Sequence, residues 1–205
     1  MEELKDALRK VRKKFRKEIE AKLKEFRRKR SREEIFQELA FCLLVANSRL
    51  EKTLQVVEEL KEEILTLSES ELRRKLRDLG YRFWRKRASY LVEARRKLDH
   101  VVKVVSKRSS EEARKWLVGN VKGLGYKEAS HFLRNLGARD VAILDRHVMR
   151  TLKSYEITNY ERTPPKSEYL RIERELRAIA RELEMNLTEL DLCIFLLATG
   201  RIPER

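Results

Sequence analysis

Two residues in this chain have types and surroundings suited to covalent and acid–base chemistry, Lys127 and Asp145. Lys127 stands two positions after Gly125, in the first turn of an expected helix. A lysine there opposes the positive end of the helix dipole, so the placement asks for a use. An amine desolvated by burial or crowded by other cations becomes a nucleophile near neutral pH. Asp145 follows 18 residues later, after the apolar run Val141–Leu144 and before Arg146-His147-Val148. That is a helix N-cap position, and capping is a sufficient structural reason for an aspartate. The functional alternative is a carboxylate that handles protons or stabilises positive charge developing beside Lys127.

The elements that must position these groups are legible around them. Residues 120–148 read NVKGLGYKEASHFLRNLGARDVAILDRHV. A helix ending near Gly119 gives way to Gly123-Leu124-Gly125, and an amphipathic helix then runs through Leu136. Helix, tight Gly-apolar-Gly turn and second helix fit a helix-hairpin-helix over 111–136. The glycines are expected to take positive φ and to bring the backbone close to a phosphate. Amides of the turn and of the following helix N-terminus suit that anion. The phosphate-binding candidates are Val121, Lys122, Gly123 and Gly125. Such contacts position a nucleic acid without reading its sequence. An apolar frame of Leu117, Val121, Leu124, Ala129, Phe132 and Leu133 lets the two helices approach. An ordinary helical hairpin has the same spacing, so Gly-x-Gly alone leaves a purely structural reading open.

Composition bounds the rest. The chain has 205 residues, 49 Lys plus Arg against 34 Asp plus Glu, and a net charge of +15. A pI near 9.9 points to a polyanionic partner. No apolar stretch approaches a membrane span, and residues 1–30 lack the uninterrupted apolar core of a signal peptide. Cys42 and Cys193 lie inside apolar helical patterns without CxxC spacing, which reads as two buried small hydrophobes. Two cysteines fall short of the four thiolates of an iron–sulfur cluster. Neither a metal nor a cofactor is expected. Only Gln37 and Gln55 occur among the many Glu, Lys and Arg, a bias known in hyperthermophile proteins.

Six Gly and three Pro are too few for the turns of an all-β domain, so the expected fold is all-α. Capping-box pairs Ser31/Glu34, Ser68/Glu71, Ser109/Glu112 and Thr188/Asp191 place helix starts near 32, 69, 110 and 189. Ile35–Ala46 is apolar on most faces and predicts a buried central helix. Residues 1–30 and 83–108 read as basic-faced helices, with Val101–Val105 a helix end, and Lys166–Glu184 as one more amphipathic helix.

The run Gly123-Leu124-Gly125-Tyr126-Lys127-Glu128-Ala129, with Ser130-His131-Phe132-Leu133-Arg134-Asn135 after it and Ala142-Ile143-Leu144-Asp145-Arg146-His147-Val148 further on, is specific. It resembles the helix-hairpin-helix DNA glycosylases that use a lysine nucleophile. Leu43-Leu44-Val45-Ala46-Asn47-Ser48 and Gly80-Tyr81-Arg82-Phe83 extend the likeness to the compact archaeal-type 8-oxoguanine DNA glycosylase/AP lyases without an iron–sulfur cluster. The likeness covers nearly the whole chain. It implies two helical lobes with an active-site cleft between them, 1–46 plus 138–205 and 47–137. It further implies that Lys127 attacks the sugar of a flipped nucleotide and that Asp145 supports the charge. β-Elimination then cuts the strand.

Base recognition in that family draws on aromatic groups and on the carboxylate at the chain terminus, here Phe83, Phe195 and Arg205. Relatives often carry Trp where Phe195 stands, and core packing is the structural alternative for both phenylalanines. Asn47, Tyr81 and Arg82 are candidates for filling the gap or touching the opposite strand. A helix C-cap for Asn47 and a loop surface for Tyr81 and Arg82 are the structural alternatives. The implied partner is double-stranded DNA containing oxidised guanine, with no membrane, for a monomer in a prokaryotic cytoplasm at the nucleoid. The same chemistry on another oxidised base, or a non-catalytic helix-hairpin-helix DNA-binding module, are the competing readings.

Overall fold

The structure is a computed structural model that describes residues 1–61 and 63–205. Among the described residues there are twelve α-helices and no strand. The chain folds as two compact units, Met1–Arg28 with Leu133–Arg205, and Lys29–Phe132.

The contiguous unit is built on α3 (Arg32–Val45), whose Ile35, Phe36, Leu39, Ala40, Phe41, Cys42, Leu43 and Leu44 are all buried. Each large apolar side chain so buried contributes about 1.5–3 kcal/mol. Around it pack α4 (Leu50–Glu59), α6 (Trp84–Arg96) and α7 (Leu98–Lys107), with α5 (Glu69–Asp78) on α6 and α8 (Ser110–Asn120) on α7. Ser31, Ser68 and Ser109 form the expected capping boxes with Glu34, Glu71 and Glu112. The run Val101–Val105 lies inside α7. This grouping differs from the expected division at 46/47. An α3 that is apolar on most faces must be enclosed, and α4, α6 and α7 pack around it.

The discontinuous unit centres on α12 (Leu187–Thr199), which takes α1 (Glu2–Lys14), α2 (Arg16–Phe26), α10 (Arg146–Ser154) and α11 (Lys166–Glu182) against it. Arg12 ties α1 to the α11–α12 turn by donating to Glu189 at 2.8 Å and to the carbonyls of Leu183 and Glu184. The division between the units falls inside α9 (Tyr126–Asn135). That helix stops at Gly137, whose φ of +94° belongs to the left-handed region. The amides of Gly137 and Ala138 return to the carbonyls of Arg134 and Leu133, satisfying the last turn. Beyond them the chain runs without helix to Asp145.

One capping expectation fails. The N-cap of α12 is Asn186, whose side chain accepts from the Glu189 amide. Thr188 instead donates to the Ala138 carbonyl, and Asp191 accepts the Ile143 amide at 2.8 Å. Both residues are committed to the segment before Asp145, not to their own helix. No helix among the described residues is long and apolar enough to cross a membrane.

Candidate active site

The hairpin joins α8 to α9 through residues 121–125. The buried Arg114 guanidinium lies 5.4 Å over the Tyr126 ring and donates to Ser130 at 3.0 Å, locking α8 to the start of α9. Lys97 donates to the Asn120 carbonyl at 2.6 Å, at the end of α8. Gly123 has φ +92°, and a Cβ placed there would lie 2.5 Å from Cδ2 of Tyr90. Both the left-handed backbone and the ring against it therefore demand glycine. Gly125 is not left-handed. A Cβ there would meet the Glu128 carboxylate at 3.0 Å, so its glycine makes room for that side chain.

Gly125 opens α9 by accepting the Ala129 amide at 2.9 Å, which puts Lys127 in the first turn as expected. The Lys127 side chain is 20 % exposed, and its Nζ lies 3.4 Å from Oε1 of Glu128. The side chain is thus largely shielded from water, with a carboxylate beside its amine. Gly123, Gly125 and Lys122 are exposed on this turn. Val121 is not available in the same way. Its side chain is buried and its amide is spent on the Leu117 carbonyl at 2.8 Å, closing α8.

Asp145 belongs to the other unit and is half-buried at the start of α10. Its Oδ1 accepts the Val148 amide at 2.9 Å, so the capping expectation holds. Capping occupies one carboxylate oxygen and does not conflict with a chemical role for the group. Exposed His147 lies edge-on to the half-buried Phe195 ring, with centroids 5.9 Å apart. Asp145, His147 and Phe195 are therefore neighbours within one unit.

The remaining candidates divide. Phe83 is half-buried at the N-cap of α6, with the Arg82 guanidinium 5.0 Å over its ring. Asn47 is exposed just past α3 in the left-handed region, φ 59°, a conformation asparagine tolerates after a helix. Tyr81 is neither at a loop surface nor free to touch DNA. It is 1 % exposed, its hydroxyl donates to the Leu44 carbonyl, and burial raises its pKa. With Arg87, which donates to the Ala46 carbonyl at 2.9 Å, it braces the backbone that presents Asn47. Arg87 also stacks on Tyr90 beneath Gly123 at 5.5 Å. Sequence reasoning misses Arg87 and Tyr90, because their partners lie far along the chain.

Arg205 is half-buried at the end of the tail that follows α12. The neighbouring Glu204 carbonyl accepts from Lys22 at 3.0 Å, and Lys22, itself buried, is also held by Glu25 at 2.9 Å. His131 sits edge-on to Phe41 at 5.5 Å, a packing role. Cys42 and Cys193 are buried as expected, and burial pushes the Cys193 thiol up to about 12.

Over residues 2–185 the chain matches the Ogg-HhH family, described as 8-oxoguanine DNA glycosylase. The 8-oxoguanine DNA glycosylase/AP lyase of Korarchaeum cryptofilum is 47 % identical over 186 residues, covering 90 % of this chain and 89 % of that one. The crystal structure of the Methanocaldococcus jannaschii 8-oxoguanine DNA glycosylase superposes with a TM-score of 0.89 at 42 % identity, covering 98 % of this chain and 96 % of that one. A second structure of that enzyme, in complex with 15mer DNA containing 8-oxoguanine, gives a TM-score of 0.88 at 42 % identity, covering 98 % and 99 %. Agreement of that extent in both sequence and backbone means that this chain belongs to the Ogg-HhH family of 8-oxoguanine DNA glycosylases.

Proposed function

We propose that the chain is a bifunctional base-excision repair enzyme that removes 8-oxoguanine from duplex DNA and then cleaves the strand. The observation that carries the reading is the Lys127 side chain, shielded to 20 % exposure in the first turn behind a glycine hairpin, in a chain of this family. A base stacked in a duplex is out of reach, so the damaged nucleotide must first be extruded. Lys127 attacks C1′ of its deoxyribose, the C1′–N bond breaks, and the base leaves with its electron pair and takes up a proton. The sugar ring opens to a Schiff base. Loss of a C2′ proton then expels the 3′ phosphate, which completes β-elimination.

Asp145 stabilises the positive charge that develops on the sugar. Gly123 and Gly125 lend their amides to a backbone phosphate with Lys122 beside them, and Val121 contributes through the turn it closes. Phe83 and Phe195 stack on the extruded base, and the Arg205 α-carboxylate accepts from the guanine edge, which offers two adjacent donors. Asn47 and Arg82 face the vacated position and the opposite strand. The enzyme works as a monomer on chromosomal DNA in the cytoplasm.

The test is incubation with an 8-oxoguanine duplex under borohydride. Wild type yields a covalent protein–DNA adduct, and Lys127→Gln yields none. Trapping by Lys127→Gln at the wild-type level overturns the nucleophile. Adduct with an oxidised pyrimidine but not with 8-oxoguanine reassigns the lesion. Duplex binding with no adduct from any lesion leaves a DNA-binding module.

A further inference from the structure

Residues 142–144 lie outside any helix, and among the described residues no strand runs beside them to satisfy their backbone. A buried amide without an acceptor is costly, on the order of 1–3 kcal/mol, so each must find one. The Ala142 amide donates to Oε1 of Glu173 at 3.1 Å. The Ile143 amide donates to Oδ1 of Asp191 at 2.8 Å. The Leu144 amide reaches the Tyr169 hydroxyl at 3.4 Å, and that hydroxyl donates in turn to the Ala142 carbonyl at 2.6 Å. Thr163 closes the set by donating to the Leu144 carbonyl at 2.8 Å. Glu173, Asp191 and Tyr169 are each at most 2 % exposed. Asp145 follows directly, with its own amide on the Ile143 carbonyl at 2.8 Å.

Two of these three acceptors are carboxylates buried in an apolar interior, an expensive choice if the only need were packing. Arg134 lies 3.9 Å from Asp191, and Arg177 lies 3.8 Å from Glu173. Both acids are thus kept next to cations instead of being replaced by apolar residues. Three successive amides taken by three separate side chains fix the rotation and height of the backbone that ends in Asp145. A carboxylate that must meet a developing charge gains from such fixing, because small misplacements lower rates steeply.

We infer that Tyr169, Glu173 and Asp191 form a side-chain clamp that stands in for a neighbouring strand and positions Asp145 for the excision step. This rests on the role proposed above for Asp145. The three are positioning residues and touch no substrate.

The experiment measures three quantities on the 8-oxoguanine duplex: the single-turnover excision rate, the dissociation constant and the thermal midpoint of the protein. Tyr169→Phe keeps the ring and removes only the oxygen that serves Leu144 and Ala142. Asp191→Leu removes the Ile143 acceptor, whereas Asp191→Asn keeps an oxygen there and removes the charge. Tyr169→Phe and Asp191→Leu are expected to slow excision about tenfold or more, with the dissociation constant within about threefold of wild type. Asp191→Asn recovers most of the lost rate, because its carboxamide oxygen can still accept the Ile143 amide. Rate then follows the hydrogen-bond acceptor and not the midpoint, which a merely structural role would not produce.

Undiminished excision in Tyr169→Phe overturns the inference even if Asp191→Leu fails to fold. A rate that tracks the midpoint across all three variants overturns it too. A wild-type chain that forms no adduct sinks the functional reading and this inference together. A wild-type chain that is active, beside clamp variants of equal rate, sinks the inference alone.

Discussion

The two groups proposed to react are held by opposite means. Lys127 stands on a regular helix whose backbone is satisfied within itself, and its special requirement, Gly123 beneath Tyr90, is local to the hairpin. Asp145 ends a segment whose amides are satisfied by side chains from α11 and α12, up to 48 residues away. A helix supplies its own geometry from local spacing. An irregular segment borrows its geometry, and every lender is a residue whose loss is felt at the site. Changes at the hairpin should therefore act on DNA gripping and stability, and changes around Asp145 on rate.

The sharpest separation is expected from Asp145→Asn. Asparagine is as good an N-cap as aspartate, so the cap on Val148 survives and the thermal midpoint should hold within a few degrees. Single-turnover excision should nevertheless fall about a hundredfold or more, with duplex affinity retained. An unchanged rate would return Asp145 to capping alone and erase the contrast.

Gly123→Ala should give the converse pattern. A Cβ 2.5 Å from Tyr90 on a backbone at φ +92° costs about 1–3 kcal/mol. Affinity should weaken equally for lesion and undamaged duplexes, because phosphate contacts carry no sequence information. Weakening confined to the lesion duplex would mean that the hairpin reads the base.

The smallest effect concerns pH. Burial raises the Asp191 carboxyl from 3.8 to about 7, with Asp145 and Glu173 adding to the shift and Arg134 and the Ile143 amide opposing it. Between those values the folded chain holds a proton that the unfolded chain has lost, so stability falls as pH rises through the window and levels off above it. The lowered carboxyls of Glu71, Asp99, Glu112 and Glu161 act below their ordinary values of 3.8 to 4.5, beneath the range from pH 5 to pH 8. The midpoint of wild type should drop by a few degrees between pH 5 and pH 8, and that of Asp191→Asn should stay flatter. Parallel profiles for the two proteins would place the titration elsewhere.

What can be read from the sequence follows the same contrast. Ser31, Ser68 and Ser109 find their glutamates three residues on, and Lys127 finds its helix two residues after Gly125, so local spacing is sufficient. Thr188 and Asp191 have the spacing of a capping box, yet their partners are Ala138 and Ile143. Asn186, two positions earlier than Thr188, caps α12 instead. Tyr81 departs from its expected place for a related reason: an aromatic beside glycine and arginine reads as a loop surface, yet its hydroxyl donates to the Leu44 carbonyl 37 residues away and the ring is buried. Val121 shows the limit of motif reading at the level of single amides. The turn forms where the glycines predict it, but one of its donors is consumed in closing the preceding helix.

The discontinuous make-up of the unit around α12 has a consequence for how the chain comes into being. Residues 29–132 are contiguous, so α3 can recruit α4, α6 and α7 as soon as they leave the ribosome. Helices α1 and α2 are made earlier than all of these, yet the helix they pack on begins at Leu187. Their apolar residues Leu4, Leu8, Ile19 and Phe26 must wait until α12 has been synthesised. The dense lysine and arginine between those positions keep the waiting segment soluble through mutual repulsion. The same positive charge that favours a polyanion in the finished protein thus also guards α1 and α2 against aggregation while they have nothing to pack against.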